Sequence, residues 1–306
     1  MSRKYEEVII FAPLGSYWYC FPFIEATKNA FEEMGYEVSF LDTVDYKFKT
    51  DKKILLIIIA NPEDKNTREI GKINNFENIT TVVYETEARK IEDEFEVIKK
   101  YEVYNLDFIW TYTHLNLDTI QDKINVPVIY FPPGYSKIYD YRYHELYRTE
   151  YKPEPITFLH NNYENRAKIL KRYIPSIKNI NNCFTFDDYA YNITKYPILI
   201  NLHQEPAPGK IKKQKNRKGL ETLRLAPFLS SGIYVISDHS YKKDEEVYKD
   251  LVTFMDIYEM KNHIEYLLQN NQEMKQKIEL RTKIFKDNFK LKTMLENVLH
   301  TMSLYE

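Results

Sequence analysis

The chain has little of what marks several common protein classes. It carries two cysteines, Cys20 and Cys183, far apart and without C-x-x-C or Cys/His ligand spacing. A disulfide scaffold and a zinc site are therefore both disfavoured, and a reducing cytoplasm is expected. Seven glycines and thirteen prolines in 306 residues are too few for a flexible low-complexity chain. No Gly-x-Gly-x-x-Gly is present, which argues against a dinucleotide cofactor. No Asp-x-Asp occurs either, so no strand end advertises a divalent-cation site. The longest apolar run, Ile54 to Ala60, falls far short of the roughly 20 residues of a spanning helix. The N-terminus lacks the long apolar region of a secretory signal, so no export is expected. Charge of one sign is also missing: 43 Lys+Arg against 45 Asp+Glu give −2. The whole chain is thus no polybasic binder, and no nucleic-acid partner is expected.

What is abundant is aromatic, with 27 Tyr and 17 Phe beside many Lys, Asn and Ile. That bias fits an AT-rich genome, bacterial or viral, better than it fits any one chemistry. The organisation is clearer. Val8–Pro13, Tyr36–Leu41, Lys53–Ala60, Thr80–Tyr84, Asp107–Trp110 and Val126–Phe131 read as buried strands, with helical stretches between them such as 88–100. Gly35 is expected to stop the first helix at its C′ position. After Pro132-Pro133-Gly134 the pattern lapses until Pro155. It then resumes with strands at 156–159, 182–186, 197–202 and 232–236 and helices at 165–173 and 219–231. Asp256 and Glu259 form a capping-box-like start to a helical C-terminus, with helices over 272–286 and 291–304. Strands apolar along their length and alternating with helices predict parallel sheets covered on both faces. The expectation is α/β: two Rossmann-like doubly wound domains, 1–150 and 151–306, facing a cleft, with a helical C-terminus. In such folds ligands bind where the carboxyl ends of the strands open.

The most chemically suggestive passage runs from Ile200-Asn201-Leu202-His203, through a polar loop, to Glu221-Thr222-Leu223-Arg224 and on to Ser237-Asp238. It reads as strand, loop, helix, strand, with polar residues at the strand tip and helix start. Glu221 and Arg224 share a helix face, and a helix N-terminus offers N–H groups to an anion. A carboxylate there suits two ribose hydroxyls, and a guanidinium suits a diphosphate. The alternative is an ordinary i,i+3 surface ion pair. Other candidates are His160, Asn161 and Asn162 in a loop opening the second domain, Gly15 and Ser16 after the first strand, and the carboxylate of Glu87. The last could act as a general base, with His114 and Asp118 as rivals. Residues 210–218 hold six positive side chains in nine positions, suited to a diphosphate or an anionic acceptor. They lack the periodic aromatics of a single-strand nucleic-acid binder.

The passage from Ile200 to Asp238 resembles the donor-binding region of GT-B fold glycosyltransferases, especially a spore-protein CgeB-like and viral group-1-like branch. Phe158–Asn162 with Arg166, Asp244–Phe254, Tyr84–Glu87, Ile109–Asn116 and Val128–Tyr135 follow the order of that group's landmarks. The resemblance implies a hexosyl- or pentosyltransferase of glycan biosynthesis moving a sugar from a UDP or GDP sugar to a glycan, lipid or protein hydroxyl. It implies no cofactor and no metal. The C-terminal half would hold the donor through His160, Asn161, Asn162, Arg166, His203, Glu221 and Arg224. Glu87, His114 and His203 would serve catalysis, and Gly15, Ser16 and Asn116 would lie on the acceptor side. Two departures stand out: Pro227 occupies the place of the second Glu of the paired-Glu motif of retaining members, and the family's Asn-x-Glu reads Glu85-Thr86-Glu87. They motivate an alternative, a catalytically silent GT-B-like scaffold that binds nucleotide or glycan.

Overall fold

The computed structural model describes residues 4–43, 51–59, 77–87, 101, 106–140, 152, 154–158, 164–180, 195–202 and 218–305, with backbone alone at 14–19, 158 and 164–166. These residues form two compact units, Met1–Pro133 with Leu291–Glu306, and Gly134–Lys290. The division falls at 133/134 where the composition suggested about 150, and the last helix groups with the first unit.

The first unit contains one parallel six-stranded sheet in the order β2-β1-β3-β4-β5-β6. Its strands are β1 (Glu7–Phe11), β2 (Glu37–Leu41), β3 (Ile54–Ile59), β4 (Ile79–Glu85), β5 (Phe108–Thr111) and β6 (Val128–Tyr130). The central strand β3, Ile-Leu-Leu-Ile-Ile-Ile, is buried at every position. Burial of each such side chain stabilises by about 1.5–3 kcal/mol, and burial on both faces is what a helix-covered parallel sheet requires. One face carries Ile9, Phe11, Leu56, Ile58, Val83 and Ile109 in a single core. Helix α1 (Leu14–Glu33) sets Phe23 against Tyr84, ring centroids 4.5 Å apart. α1 ends as its sequence predicts: Gly35 takes φ 85°, and the N–H of Tyr36 reaches back to Phe31 O at 3.0 Å. Only a residue without Cβ adopts that φ at no steric cost. The short α2 (His114–Ile120) follows β5.

The second unit repeats the plan with a parallel five-stranded sheet in the order β11-β10-β9-β7-β8. Here β7 is Pro155–Phe158, β8 Lys178–Ile180, β9 Ile198–Asn201, β10 Tyr234–Ser237 and β11 Val252–Phe254. Counted from the first strand of each unit, the sheets run 2-1-3-4-5-6 and 2-1-3-4-5. That order reverses between the first and third strands, so each sheet has a switch point: β1/β3 in one and β7/β9 in the other. Helices α3 (Glu164–Tyr173), α4 (Thr222–Ser230), α5 (Lys242–Tyr248), α6 (Ile257–Gln269) and α7 (Asn271–Asn288) complete this unit. Leu170, Ile200, Ile236, Met260, Ile264 and Met274 build its core. The final helix α8 (Leu291–Met302) packs on α1 in the first unit.

The sequence expectations meet this fold with identifiable differences. The strand expected at 182–186 and the helix at 88–100 lie outside the described residues. β8 and β11 were not foreseen; each has three residues, and Lys178 and Asn179 on the edge strand are exposed. Nor were α2 and α5, of seven residues each. Residues 135–140, read as a connection, belong to the second unit. Ser231 Oγ donates to Tyr139 O at 2.7 Å, and Lys286 pairs with Asp140. The capping box at α6 is present, Glu259 Oε2 accepting the Asp256 N–H at 3.3 Å. Removing it with Asp256→Ala is expected to cost about 1 kcal/mol, measurable as a lower denaturation midpoint with unchanged slope.

Candidate functional site

In each unit the strands are parallel, so every helix that follows a strand starts at the carboxyl edge of its sheet. Topology alone therefore brings the polar residues of interest to two edges, one in each unit.

At the edge of the second sheet, β9 ends at Asn201 and β10 at Ser237, paired in register. Both side chains are fully buried. Asn201 Nδ2 donates to Ser237 Oγ at 3.0 Å, and that hydroxyl donates to Asp238 O at 2.9 Å. Asn201 Oδ1 is buried with no hydrogen-bond partner among the described residues. Helix α4 begins beside them. Glu221 is its N-cap residue, one position earlier than the first turn where the sequence pattern set it. Its carboxylate lies 3.9 Å from Arg224 Nη2, and the side chains keep 34% and 21% of their exposure. That separation is too long for a hydrogen bond. The pair is a weak contact between two groups open to solvent, not a buried structural bridge.

The backbone leading into α4 is held from below. Asp244, in the first turn of α5, is 1% exposed and accepts the Leu220 N–H at 3.2 Å. A buried carboxylate needs such donors, since its desolvation is otherwise costly. Tyr248, one turn on, lies fully inside; burial first, and the Asp244 charge second, push its hydroxyl far up, so it stays protonated. Across from them Glu245 accepts the Ser240 N–H at 2.6 Å and contacts His239 Nδ1 at 3.1 Å. At the other end of α4, Gly232 takes φ 73° and Ile233 N–H reaches Phe228 O at 3.1 Å. The helix carrying Glu221 and Arg224 is thus fixed at both ends.

At the edge of the first sheet, β4 ends at Glu85, in register with Thr111 at the end of β5. Glu85 is 1% exposed. One of its oxygens accepts a hydrogen bond from the Tyr101 hydroxyl, and the other accepts the Glu87 N–H at 3.0 Å. Asn116, in the first turn of α2, donates through Nδ2 to Glu87 O at 2.7 Å. Thr113 caps the same helix, its hydroxyl accepting the Leu115 N–H at 3.1 Å. The Glu87 side chain itself is exposed. His114 lays its ring on that of Tyr130, centroids 3.9 Å apart.

The structure thus brings Glu87 and Asn116 together, with His114 on the same helix turn as Asn116. Gly15 and Ser16 fall in the first turn of α1, at the β1/β3 switch point. Arg166 lies in the first turn of α3, by its backbone. His160, Asn161, Asn162, His203 and the basic run through 217 lie outside the described residues. Sequence reasoning passed over Tyr101 and the anchoring role of Asp244, and treated Glu85 only as a shifted motif. Each acid has a readable signal: a carboxylate ending an apolar strand run, or spaced to face inward on a helix. Among the described residues no group of three or more His, Cys, Asp or Glu side chains could hold a metal ion. Among them no helix is long and apolar enough to cross a membrane.

No family model matches the chain, and no curated protein matches it in sequence. Solved structures do match it in fold. An α-glucosyltransferase in complex with UDP and a 13-mer DNA containing a central A:G mismatch aligns at a TM-score of 0.61 and 12% identity, covering 97% of this chain and 99% of that one. Anabaena HepE in complex with UDP and glucose aligns at 0.60 and 9%, over 97% and 99%. T4 phage BGT in complex with its UDP-glucose substrate aligns at 0.57 and 11%, over 96% and 98%. The fold is that of GT-B glycosyltransferases along nearly the whole chain.

Proposed function

We propose that this protein is a glycosyltransferase that moves a sugar from a nucleotide-diphosphate sugar to an acceptor hydroxyl, without a required metal, in the cytoplasm. The observation that carries this reading is the full-length likeness to enzymes bound to UDP or UDP-glucose, combined with Glu221 and Arg224 at the carboxyl edge of the second sheet. The finer placement in the CgeB-like or viral group-1-like branch, and the site residues taken from it, rest on the sequence passages.

In this reading Glu221 takes the ribose hydroxyls, each of which donates to a carboxylate oxygen. Arg224, Arg166, His160, Asn161, Asn162 and the N-termini of α3 and α4 hold the diphosphate. His203 lines the sugar pocket, following β9 at the switch point. Gly15, Ser16 and Asn116 serve the acceptor side. Glu87, or its rival His114, removes the proton of the acceptor hydroxyl; that oxygen bonds to the anomeric carbon while the carbon–oxygen bond to the diphosphate breaks. Negative charge grows on the leaving nucleoside diphosphate, where a cation and aligned N–H dipoles stabilise it most. No Asp-x-Asp is available for the divalent-cation alternative.

Isothermal titration with UDP, UDP-glucose and other UDP and GDP sugars tests the donor. Binding of at least one is expected, and Glu221→Ala is expected to weaken it at least roughly tenfold, given about 1.5–3 kcal/mol for a hydrogen bond to a charged group. Folded protein that binds none of them refutes the assignment. The acceptor panel should hold glycans, lipids, proteins and duplex DNA with hydroxylated bases; DNA binding would show itself by a steep loss of affinity with salt. A second reading, a scaffold that binds nucleotide or glycan without turnover, is favoured by Pro227 and by the shifted Glu85/Glu87 pattern. Transfer or donor hydrolysis that vanishes in Glu221→Ala excludes it.

A further inference from the structure

Four polar side chains are buried at the carboxyl edge of β4 and β5: Glu85, Thr111, Thr113 and Asn116, none more than 1% exposed. Buried polar groups are costly unless satisfied, and two of these are satisfied by one residue's backbone. Glu85 Oε1 accepts the N–H of Glu87, and Asn116 Nδ2 donates to its carbonyl. Thr113 in turn caps the helix that carries Asn116, and Thr111 Oγ1 accepts the Thr113 N–H at 3.4 Å. Tyr101, itself buried, donates to the second Glu85 oxygen and so fixes the rotamer that points the first at Glu87. The outcome is a loop residue held at both its backbone N–H and its carbonyl, with an exposed side chain.

From this we infer that Glu85 is a positioning residue: it holds Glu87 in register for removal of the acceptor proton. The inference rests on the reading of Glu87 as general base and adds a group to it. Loop residues ordinarily gain from mobility, and a peptide held by two buried side chains gives it up. Rate depends steeply on where a base is held, a misplacement of about 1 Å costing on the order of 100-fold. Glu85 touches no reacting atom; its effect passes through Glu87 alone.

A double-mutant cycle distinguishes this from a merely structural role. It is run on full-length protein with whichever nucleotide sugar of the panel turns over fastest. Glu85→Ala is expected to lower kcat about 10- to 100-fold with donor KM unchanged. Glu85→Gln keeps an oxygen for the Glu87 N–H and an N–H for the Tyr101 hydroxyl, and should recover near wild-type rate. In the Glu87→Gln background, Glu85→Ala should cost nothing further, because what it positions is gone. Equal losses in both backgrounds, or equal damage from Ala and Gln, overturn the inference while leaving Glu87 as base intact. A Glu87→Gln variant as fast as wild type instead defeats the reading beneath it. Should Glu85→Ala fail to fold, Tyr101→Phe frees the second Glu85 oxygen and must show the same non-additivity with Glu87→Gln.

Discussion

Glu87→Gln is expected to lower kcat by roughly 10²- to 10⁴-fold, the usual worth of a positioned general base, while leaving affinity for the nucleotide donor unchanged. The exchange keeps the size of the side chain and leaves the backbone contacts to Glu85 and Asn116 in place, so the loss isolates the proton-accepting oxygen. The limb of the pH–rate profile that reports deprotonation of the base should disappear with it. His114 offers the competing assignment. Its ring lies against that of Tyr130, tilted by 32°, at the start of α2, and if it were the base, His114→Gln would carry the large loss and Glu87→Gln would not. Steady-state kinetics on the two variants, side by side, decide between them.

Pro227→Glu is the second large effect. Position 227 is buried within α4 and follows Glu221 on the helix that carries the proposed donor contacts. A carboxylate placed there without a partner is expected to destabilise the protein by about 3–5 kcal/mol, read as a lower midpoint in chemical denaturation. The native proline carries its own penalty: it cannot donate to the carbonyl of Leu223, and its ring crowds that turn. Pro227→Ala is accordingly expected to stabilise by about 1 kcal/mol after the lost ring packing is counted. The pair of results bears on the family comparison. An alanine that stabilises and a glutamate that destabilises would mean the helix has been repacked around an apolar residue, so the paired-Glu chemistry cannot be restored by one substitution. A Glu variant of wild-type stability that also transfers sugar faster would overturn that view.

Much of the fold was legible because parallel sheets buried on both faces leave unbroken apolar strands. Ile54–Ile59 could be nothing else, and Gly35 and the Asp256/Glu259 pair announce helix ends by local chemistry that tertiary structure has no cause to override. The illegible elements share a cause. β8 and β11 take their place from main-chain pairing with β7 and β10, which leaves no periodicity to read. α2 and α5, at seven residues, are too short to build a hydrophobic stripe. The same division runs through the site. Glu221, Arg224, Glu87 and Asn116 could be chosen by residue type and place along strand and helix. The supports act through particular partners: Asp244 accepts a backbone N–H 24 residues away, Tyr101 donates to a side chain 16 residues away, and Glu85 turns back on the N–H of Glu87. Spacing alone does not show such partnerships.

The return of α8 to the first unit has a consequence for how the molecule is made. The second unit is one continuous stretch and can collapse as soon as residue 290 has left the ribosome. The first must wait for α8, which follows the second unit in the chain, to cover α1. Domains generally fold as they are synthesised, so this chain completes its leading lobe after its trailing one. A stalled or clipped product missing α8 would carry a finished trailing lobe beside a leading lobe with an uncovered apolar helix, a natural target for chaperones.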